Sequence, residues 1–199
     1  MKHYKTNYFH SYISSFYERN QILPNVGFDN LAFVDTVDVG YKNTVLSDSA
    51  ADLDLYNAVK DSFMTTNGKF YTQYATVSTH GVYNNKKQHL ADIYELFTDS
   101  NADYVNWKNY LNSEFGYELN ESTNEGNMVV NYKAGAIDLD RTIKAIFDDL
   151  EAKDLLDSTT VVLFSDHNAY CNNLGKIIKG IDTTKIYDPE EFRLPACIY

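Results

Sequence analysis

The sequence predicts an α/β fold in which helices flank a mainly parallel β-sheet. Segments of strand character alternate with segments of helical periodicity, the order that crossover connections between parallel strands produce. The run "TTVVLFS" at 159–165 holds four consecutive apolar residues, as in a strand that is buried on both faces. The chain has 199 residues, 44% hydrophobic and 23% charged, enough for one sizeable core or a large piece of a bigger domain.

The N-terminal part predicts one short helix and one strand. Ser14 or Ser15 is a suitable N-cap for a helix that runs through Ile22, and Pro24 ends this helix. The segment "NLAFVDTV" at 30–37 then has the composition of a strand.

A capped helix and a second strand are predicted next. The helix extends from about Ser49 to Thr65, with Asp48 or Ser49 as its N-cap. Aromatic and β-branched residues dominate "KFYTQYATVST" at 69–79, which predicts a strand that ends just before His80.

The second half of the chain predicts a weak helix, a strong helix and two strands. Helical character is weak over 90–115 and strong over 131–150, where apolar residues follow i, i+3, i+4 spacing. The residues of this apolar face are Ala136, Leu139, Ile143, Ile146, Phe147 and Leu150. The strand at 159–165 follows, and "FRLPACIY" at 192–199 is the last strand.

Two of the predicted strands end in histidine. One delivers Thr79-His80 and the other Ser165-Asp166-His167. Ligands gather beyond the carboxyl ends of the strands in open α/β sheets, so adjacent strand ends would bring these groups into one cleft. Asp oxygen and His nitrogen ligands suit Mn²⁺ or Zn²⁺, which makes Asp166 and His167 candidate metal ligands. The alternative is that Asp166 is a turn residue or a helix cap and His167 its polar neighbour.

A second group of candidate residues lies near the start of the chain. His10, Tyr17 and Arg19 are spaced so that a short helix could turn them toward the same cleft. Arg19 suits a phosphate or sulfate because its planar guanidinium binds two oxygens at once. The alternative is a surface ion pair between Arg19 and Glu18 or a nearby Asp.

Charge and composition exclude some classes of protein. A net charge of −11 argues against a nucleic-acid-binding protein and against attraction to an acidic membrane surface. The 17 tyrosines can line a wet cleft that packs sugar or glycerol groups, or lie half-buried at the surface. No apolar run approaches the ~20 residues of a membrane span, so this chain alone is expected to be soluble. Cys171 and Cys197 have no metal-ligand spacing and are either free thiols or one bridge.

Four stretches, in order, resemble the lipoteichoic acid synthases and related phosphoglycerol transferases. In "YFHSYISSFYERNQILPNVGFD" a His is followed by an aromatic residue seven positions later and by Arg nine positions later, ahead of a "GFD" turn. The other three stretches are "FYTQYATVSTHGVY", "AIDLDRTIKAIFDDLEAKDLLDSTTVVLFSDH" and "FRLPACIY". This family belongs to the alkaline phosphatase and sulfatase superfamily, so the resemblance implies an alkaline phosphatase/sulfatase-like fold.

The resemblance implies roles for six residues, carried over position by position. Asp166 and His167 would be ligands of a divalent metal, with Mn²⁺ as the usual ion and Mg²⁺ or Zn²⁺ as the alternatives. The residues that would contact the phosphoglycerol head group are His10, Tyr17, Arg19 and His80. Tyr17 stands where the family often has Trp.

The resemblance also implies that residues 1–199 are the C-terminal portion of an incomplete catalytic domain. The family's nucleophilic Thr and a metal-binding Glu precede the His-aromatic-Arg segment, and only nine residues precede His10. Thr6 lies too close to His10 to match the nucleophile. We therefore expect no catalytic residue in this chain and little turnover by it alone, with the upstream part of the same domain and the membrane helices absent.

The implied activity of the complete enzyme is metal-dependent phosphoglycerol transfer, or sulfatase-like hydrolysis. Its substrate would be a phosphoglycerol-bearing lipid or cell-envelope polymer, at the extracytoplasmic face of a bacterial cell membrane. Two alternatives remain open. One is a non-catalytic domain that binds anionic glycans or teichoic acid-like polymers through His10, Arg19, His80 and the tyrosines, and the other is a decayed pseudoenzyme.

Overall fold

The computed structural model describes most of the chain. The described residues are 4–40, 51–64, 67–167, 169, 171–179 and 196–199. They divide into two compact units. Unit 1 comprises the chain up to Thr79 together with Gly135–Thr159, and unit 2 comprises His80–Ala134 and Thr160–Tyr199.

Unit 1 is built on a three-stranded parallel sheet whose central strand, β1, was not among the predicted elements. β1 is Tyr4–His10, and it pairs on one side with β2, Asn30–Phe33, and on the other with β3, Lys69–Ala75. Both pairings are parallel, so the strand order is β2-β1-β3. The predicted fold class, a mainly parallel sheet with flanking helices, is confirmed in this unit.

The register of the sheet brings the carboxyl ends of all three strands to one edge. His10, the last residue of β1, lies opposite Phe33 of β2 and Ala75 of β3. The second half of β1 is buried, with Phe9 only 2% exposed and its ring 5.0 Å from that of Phe63. A buried central strand therefore ends in a histidine.

A short left-handed turn and a helix follow β1. A 3-10 turn, Phe16–Glu18, leads into α1, Arg19–Asn25. The predicted serine caps are wrong: Ser15 makes no capping bond, and Ser14 donates from its backbone and its hydroxyl to the carboxylate of Asp35. Pro24 lies inside α1, which ends one residue later.

Two longer helices flank the sheet. α2 is Asp52–Phe63, and α5 is Asn124–Ala152, which starts seven residues before the predicted helix at 131. The predicted caps Asp48 and Ser49 of α2 lie outside the described residues. The predicted apolar face of α5 is half-buried except for Leu150, which is 1% exposed, because the fully buried face carries other residues. They are Met128, Val129, Val130, Asn131, Ala134, Asp138 and Thr142.

Unit 2 packs further helices around a core of its own. They are α3 (Ala91–Tyr94), α4 (Ala102–Phe115) and α6 (Leu174–Lys179), with 3-10 turns at Gln88–Leu90 and Cys171–Asn173. Asn101 begins α4 by accepting hydrogen bonds from two backbone N–H groups, and Gly116 ends it with a φ of 64°. The core residues are Tyr83, Leu111, Met128, Val129 and Leu174.

The strand before Asp166 differs from its prediction. β4, Val162–Phe164, follows a 3-10 turn at Leu156–Ser158 and pairs antiparallel with β5, Ala196–Ile198. Val162 is 52% exposed and Phe164 70% exposed, so β4 is not the buried, central parallel strand that its composition predicted. An apolar run indicates that a strand can be buried, but burial requires that other segments of the fold pack against it. No helix among the described residues is long and apolar enough to cross a membrane.

Candidate functional site

His10 is held in a single orientation at the end of β1. Its side chain is 5% exposed, and its Nδ1 lies 2.9 Å from the carbonyl oxygen of Ala75 on β3. A carbonyl oxygen only accepts, so Nδ1 carries the proton. Nε2 therefore presents a lone pair, which accepts a hydrogen bond from Nη1 of Arg19. The sheet register thus fixes an imidazole that in turn orients a guanidinium.

Arg19 is packed against aromatic rings. Its guanidinium carbon lies 5.4 Å from the ring centre of Phe16 and 5.7 Å from that of Tyr17. Among the described residues no carboxylate lies within ion-pair distance of Arg19, so the ion pair with Glu18 considered from the sequence does not form. His10 and the two rings hold the guanidinium of Arg19 in place. An anion can approach this guanidinium without displacing a carboxylate.

The turn that carries Tyr17 has an unusual backbone. Tyr17 and Glu18 both have a φ of 53°, in the left-handed region that non-glycine residues rarely adopt. Such a conformation costs about 1–3 kcal/mol per residue and clusters at functional sites. It leaves the Tyr17 ring 73% exposed beside Arg19. His10, Tyr17 and Arg19, predicted as one group, are brought together in unit 1.

The other predicted residues come together in unit 2. The ring centres of His80 and His167 are 5.9 Å apart, and the ring planes are inclined by 77°. Nδ1 of His80 lies 2.5 Å from the carbonyl oxygen of Gly81, so this nitrogen is the donor and Nε2 keeps its lone pair. Oδ2 of Asp166 lies 3.5 Å from Nε2 of His167, and Oδ1 accepts the backbone N–H of His167.

These three side chains have the right chemistry for a divalent metal but do not form a complete ligand set. They offer one carboxylate and two imidazoles, the oxygen and nitrogen donors that Mn²⁺ or Zn²⁺ accepts. Asp166 is 84% exposed and His167 40% exposed, so both can be reached. Within the described part of the chain, no three His, Cys, Asp or Glu side chains are grouped closely enough to hold an ion. Asp166 and His167 therefore fit as part of a metal site.

Gly81, which follows the exposed His80, is closely packed. A Cβ added at Gly81 would lie 2.5 Å from both Cβ and Sγ of Cys171, so a larger residue does not fit. The ammonium of Lys87 donates to the carbonyl oxygen of His80 at 3.2 Å. Cys171 and Cys197 are both free thiols, which rules out the bridge between them.

Thr6, which the sequence excluded as a nucleophile, has a structural role. Its Oγ1 donates to the carbonyl oxygen of Gly27 at 2.8 Å, with Oδ2 of Asp29 at 2.9 Å. It also accepts the backbone N–H of Asp29 at 3.0 Å. Thr6 ties β1 to the turn before β2, near the opposite end of the strand from His10.

A buried polar network in unit 1 was missed by the sequence analysis. Asp52, Ser78 and Asp138 are each at most 2% exposed and are hydrogen-bonded to one another. One signal was present in the sequence: Asp138 lies four residues from Ala134 and from Thr142, on what proves to be the buried face of α5. Burial raises the pKa of Asp52 and of Asp138, and the Ser78 hydroxyl partly offsets this effect at Asp138.

Comparison with known proteins identifies the family. The chain belongs to the sulfatase family, whose model matches residues 1–199. It is 21% identical over 198 residues to lipoteichoic acid synthase 1 of Bacillus subtilis (strain 168). That alignment covers 98% of this chain but 27% of the relative, so the chain spans about a quarter of the curated protein that it matches.

Solved structures confirm the fold. The lipoteichoic acid synthase LtaP from Listeria monocytogenes matches with a TM-score of 0.60 and 23% identity, over 99% of this chain and 43% of LtaP. A Vibrio parahaemolyticus protein of the alkaline phosphatase superfamily matches with a TM-score of 0.57 and 16% identity, over 100% of this chain and 38% of its own. The phosphoglycerol transferase GacH from Streptococcus pyogenes, solved with sn-glycerol-1-phosphate, matches with a TM-score of 0.56 and 15% identity, over 100% of this chain and 44% of GacH. The predicted alkaline phosphatase/sulfatase-like fold is thus confirmed.

Proposed function

We propose that this chain is the part of a metal-dependent phosphoglycerol transferase that binds the phosphoglycerol group. The observation that carries the proposal is the contact between His10 and Arg19 at the carboxyl end of the central strand. It holds a guanidinium in place, and the described residues give it no carboxylate partner. The relatives that share the fold include proteins described as a lipoteichoic acid synthase and as a phosphoglycerol transferase.

In this proposal Arg19 binds the phosphate and Tyr17 packs against the glycerol. A guanidinium binds two phosphate oxygens at once and stabilises the negative charge that develops on them during transfer. The exposed ring of Tyr17 offers an apolar face with a polar tip, which suits a glycerol carbon chain and its hydroxyls. His80, in unit 2, is a further proposed substrate-binding residue, because its Nε2 lone pair can accept a hydrogen bond from a substrate hydroxyl.

Asp166 and His167 are the proposed metal ligands, with Mn²⁺ favoured and Mg²⁺ or Zn²⁺ as alternatives. A divalent ion bound there supplies Lewis-acid stabilisation of charge on phosphate oxygens. We further propose that Thr6 is not the nucleophile, since its hydroxyl donates to the carbonyl oxygen of Gly27 and accepts the backbone N–H of Asp29. The substrate is a phosphoglycerol-bearing lipid or cell-envelope polymer, and the parent enzyme acts outside the bacterial cell membrane.

Binding of sn-glycerol 1-phosphate to the chain tests the first part of the proposal. We expect saturable binding by isothermal titration calorimetry, a loss of about tenfold or more in Arg19→Ala, and a smaller loss in Arg19→Lys, which keeps the charge but not the planar fork. Arg141→Lys is the matched control, and it should leave the affinity unchanged. Equal affinities for the wild type and Arg19→Ala would remove the basis of the proposal.

Paramagnetic NMR tests the metal site. Mn²⁺ should broaden the ring signals of His80 and His167 at about one equivalent, and Asp166→Ala should abolish this effect. Asp157→Ala, which removes an exposed carboxylate in the 3-10 turn before β4, is the control and should leave the broadening intact. Polymer binding that persists in chelator, together with no broadening by Mn²⁺, would favour the non-catalytic glycan-binding alternative.

A further inference from the structure

The main chain directly before His80 is held by a buried carboxylate. Asp52, the first residue of α2, accepts the backbone N–H groups of Val77 and Ser78 at 2.8 and 2.9 Å. Asp52 is 0% exposed. Ser78 precedes His80 by two residues. These two hydrogen bonds therefore clamp the segment that leads directly into His80.

A second carboxylate, from α5, locks the first in place. Asp138 accepts the backbone N–H of Asp52 at 2.7 Å and also accepts the hydroxyl of Ser78. The N-cap residue of α2, Ala51, makes no side-chain capping bond, and Asp138 accepts the first backbone N–H of the helix instead. Three segments that are distant in sequence, at 52, 78 and 138, are thereby joined through two buried acids.

The polypeptide of α5 approaches this segment as closely as a backbone can. A Cβ added at Gly135 would lie 1.9 Å from the carbonyl oxygen of Ser78 and 3.2 Å from the backbone nitrogen of Thr79. Only glycine permits this contact. The segment that follows β3, residues 77–79, is therefore fixed by a hydrogen-bonded clamp and by direct contact with the α5 backbone.

Such a clamp is a costly way to hold a loop. Two buried carboxylates side by side lose their hydration and repel each other, and an apolar contact would hold the same three segments at lower cost. Burial raises the pKa of both groups, in agreement with this cost. Hydrogen bonds, unlike apolar contacts, define the direction of each backbone N–H.

We propose that Asp52, Ser78 and Asp138 are positioning residues, which fix the main chain ahead of His80 and so orient its imidazole for the phosphoglycerol group. The proposal rests on the function proposed for His80. None of the three touches the ligand, and they act only through the backbone of residues 77–79.

Side-chain NMR of the ¹⁵N-labelled chain separates positioning from general stability. Ser78→Ala removes the hydroxyl that donates to Asp138 and accepts the backbone N–H of Asp52. Asp138→Asn weakens the same hydrogen-bonded clamp. Asp149→Asn is the matched control, because Asp149 also ties α5 to α2, by accepting from the Tyr56 hydroxyl at 2.7 Å and the Lys60 ammonium at 3.1 Å. The readouts are the ring nitrogen and carbon-bound proton signals of His80 and the dissociation constant of sn-glycerol 1-phosphate.

We expect Ser78→Ala and Asp138→Asn to shift or broaden the His80 ring signals and to weaken binding by about threefold to tenfold. Asp149→Asn should leave both readouts unchanged even where it lowers stability as much. If Asp138→Asn does not fold, Ser78→Ala, which is the smaller change, is compared with Asp149→Asn in its place.

Two results would overturn the positioning role. One is unaltered His80 signals in folded Ser78→Ala, and the other is an equal response in Asp149→Asn. A wild-type chain that binds no glycerol phosphate, but whose His80 signals respond to Ser78→Ala alone, would instead overturn the proposed function and leave the positioning role standing.

Discussion

The guanidinium of Arg19 donates a hydrogen bond to Nε2 of His10, the residue that ends the central strand. The imidazole can accept it because its other nitrogen donates to the carbonyl oxygen of Ala75 on the neighbouring strand. A main-chain contact within the sheet is thus relayed, through one ring, to the cation proposed to bind phosphate.

Replacing His10 by Phe should loosen Arg19 without emptying the space that the imidazole ring fills. A hydrogen bond to a charged group is worth about 1.5–3 kcal/mol, so we expect sn-glycerol 1-phosphate to bind at least about tenfold more weakly by calorimetry. The same change at His89 in unit 2 is the control and should leave the affinity unchanged. Wild-type affinity in His10→Phe would mean that the imidazole does not orient Arg19.

Substituting alanine at Gly135 should destabilise the protein. The added Cβ would lie 1.9 Å from the Ser78 carbonyl oxygen, and we expect a loss of about 1–3 kcal/mol in unfolding free energy from urea denaturation. Gly175 in α6 is the matched control, because the nearest atom to its added Cβ is the Ala169 carbonyl oxygen at 3.6 Å. Gly175→Ala should be neutral or stabilising by up to about 1 kcal/mol, as expected in a helix. Equal effects at the two glycines would contradict the close approach.

The stability of the protein should fall as the pH rises above the ordinary Asp pKa, because of Asp52 and Asp138. Burial raises the pKa of both carboxyls above the ordinary Asp value. The folded state therefore binds protons more tightly than the unfolded state, and stability is lost as the pH rises from the ordinary value through the raised one. Tyr74 faces the same groups, and its pKa is raised further above neutral pH, so it does not titrate in this range.

Asp138→Asn should flatten this pH dependence, by up to about 1.4 kcal/mol per pH unit for each proton removed from the linkage. Urea denaturation at several pH values between 4.5 and 7.5 measures it. Asp149→Asn should leave this slope in place, because hydrogen bonds from Tyr56 and Lys60 overcome the effect of burial and lower the pKa of Asp149. Its contribution is lost only as the pH falls below the ordinary Asp value. A wild-type slope in Asp138→Asn would show that the buried pair does not titrate as described.

Two phenylalanines of the sheets should differ sharply in their contribution to stability. Phe9→Ala in β1 removes a ring that is 2% exposed and should cost about 3–5 kcal/mol in unfolding free energy. Phe164→Ala in β4 removes a ring that is 70% exposed and should change stability by about 0.5 kcal/mol or less. Urea denaturation of both variants measures the contrast. A large loss in Phe164→Ala would show that β4 is buried, as its composition predicted.

The sequence predicted the α/β class and the pairing of candidate residues better than it predicted burial. β1 was missed because "YKTNYFH" mixes polar and aromatic residues. In the structure its last four residues are buried, and it pairs with a strand on each side. β4 was predicted to lie in the core because four apolar residues in a row are typical of a strand that is buried on both faces. What covers a strand is a property of the fold and not of the strand.

The candidate site shows the same limit. His10, Tyr17, Arg19, His80, Asp166 and His167 could be named as candidates from the sequence because each lies in a short local motif. The buried acids were not found, because Asp52 and Asp138 are separated by 86 residues and each resembles an ordinary helical acid. Only the close approach of α2, α5 and the segment after β3 shows that these acids share their hydrogen bonds.

The parallel pairing of β1 with β3 also has a consequence for synthesis on the ribosome. The carbonyl oxygen that fixes the tautomer of His10 belongs to a residue 65 positions further along the chain. A nascent polypeptide that has exposed residue 40 but not yet residues 69–75 holds both members of the histidine–arginine pair but not the strand that orients them. Contacts so remote in sequence form late and slowly, so the edge of the sheet that carries His10 must mature after β3 has been translated.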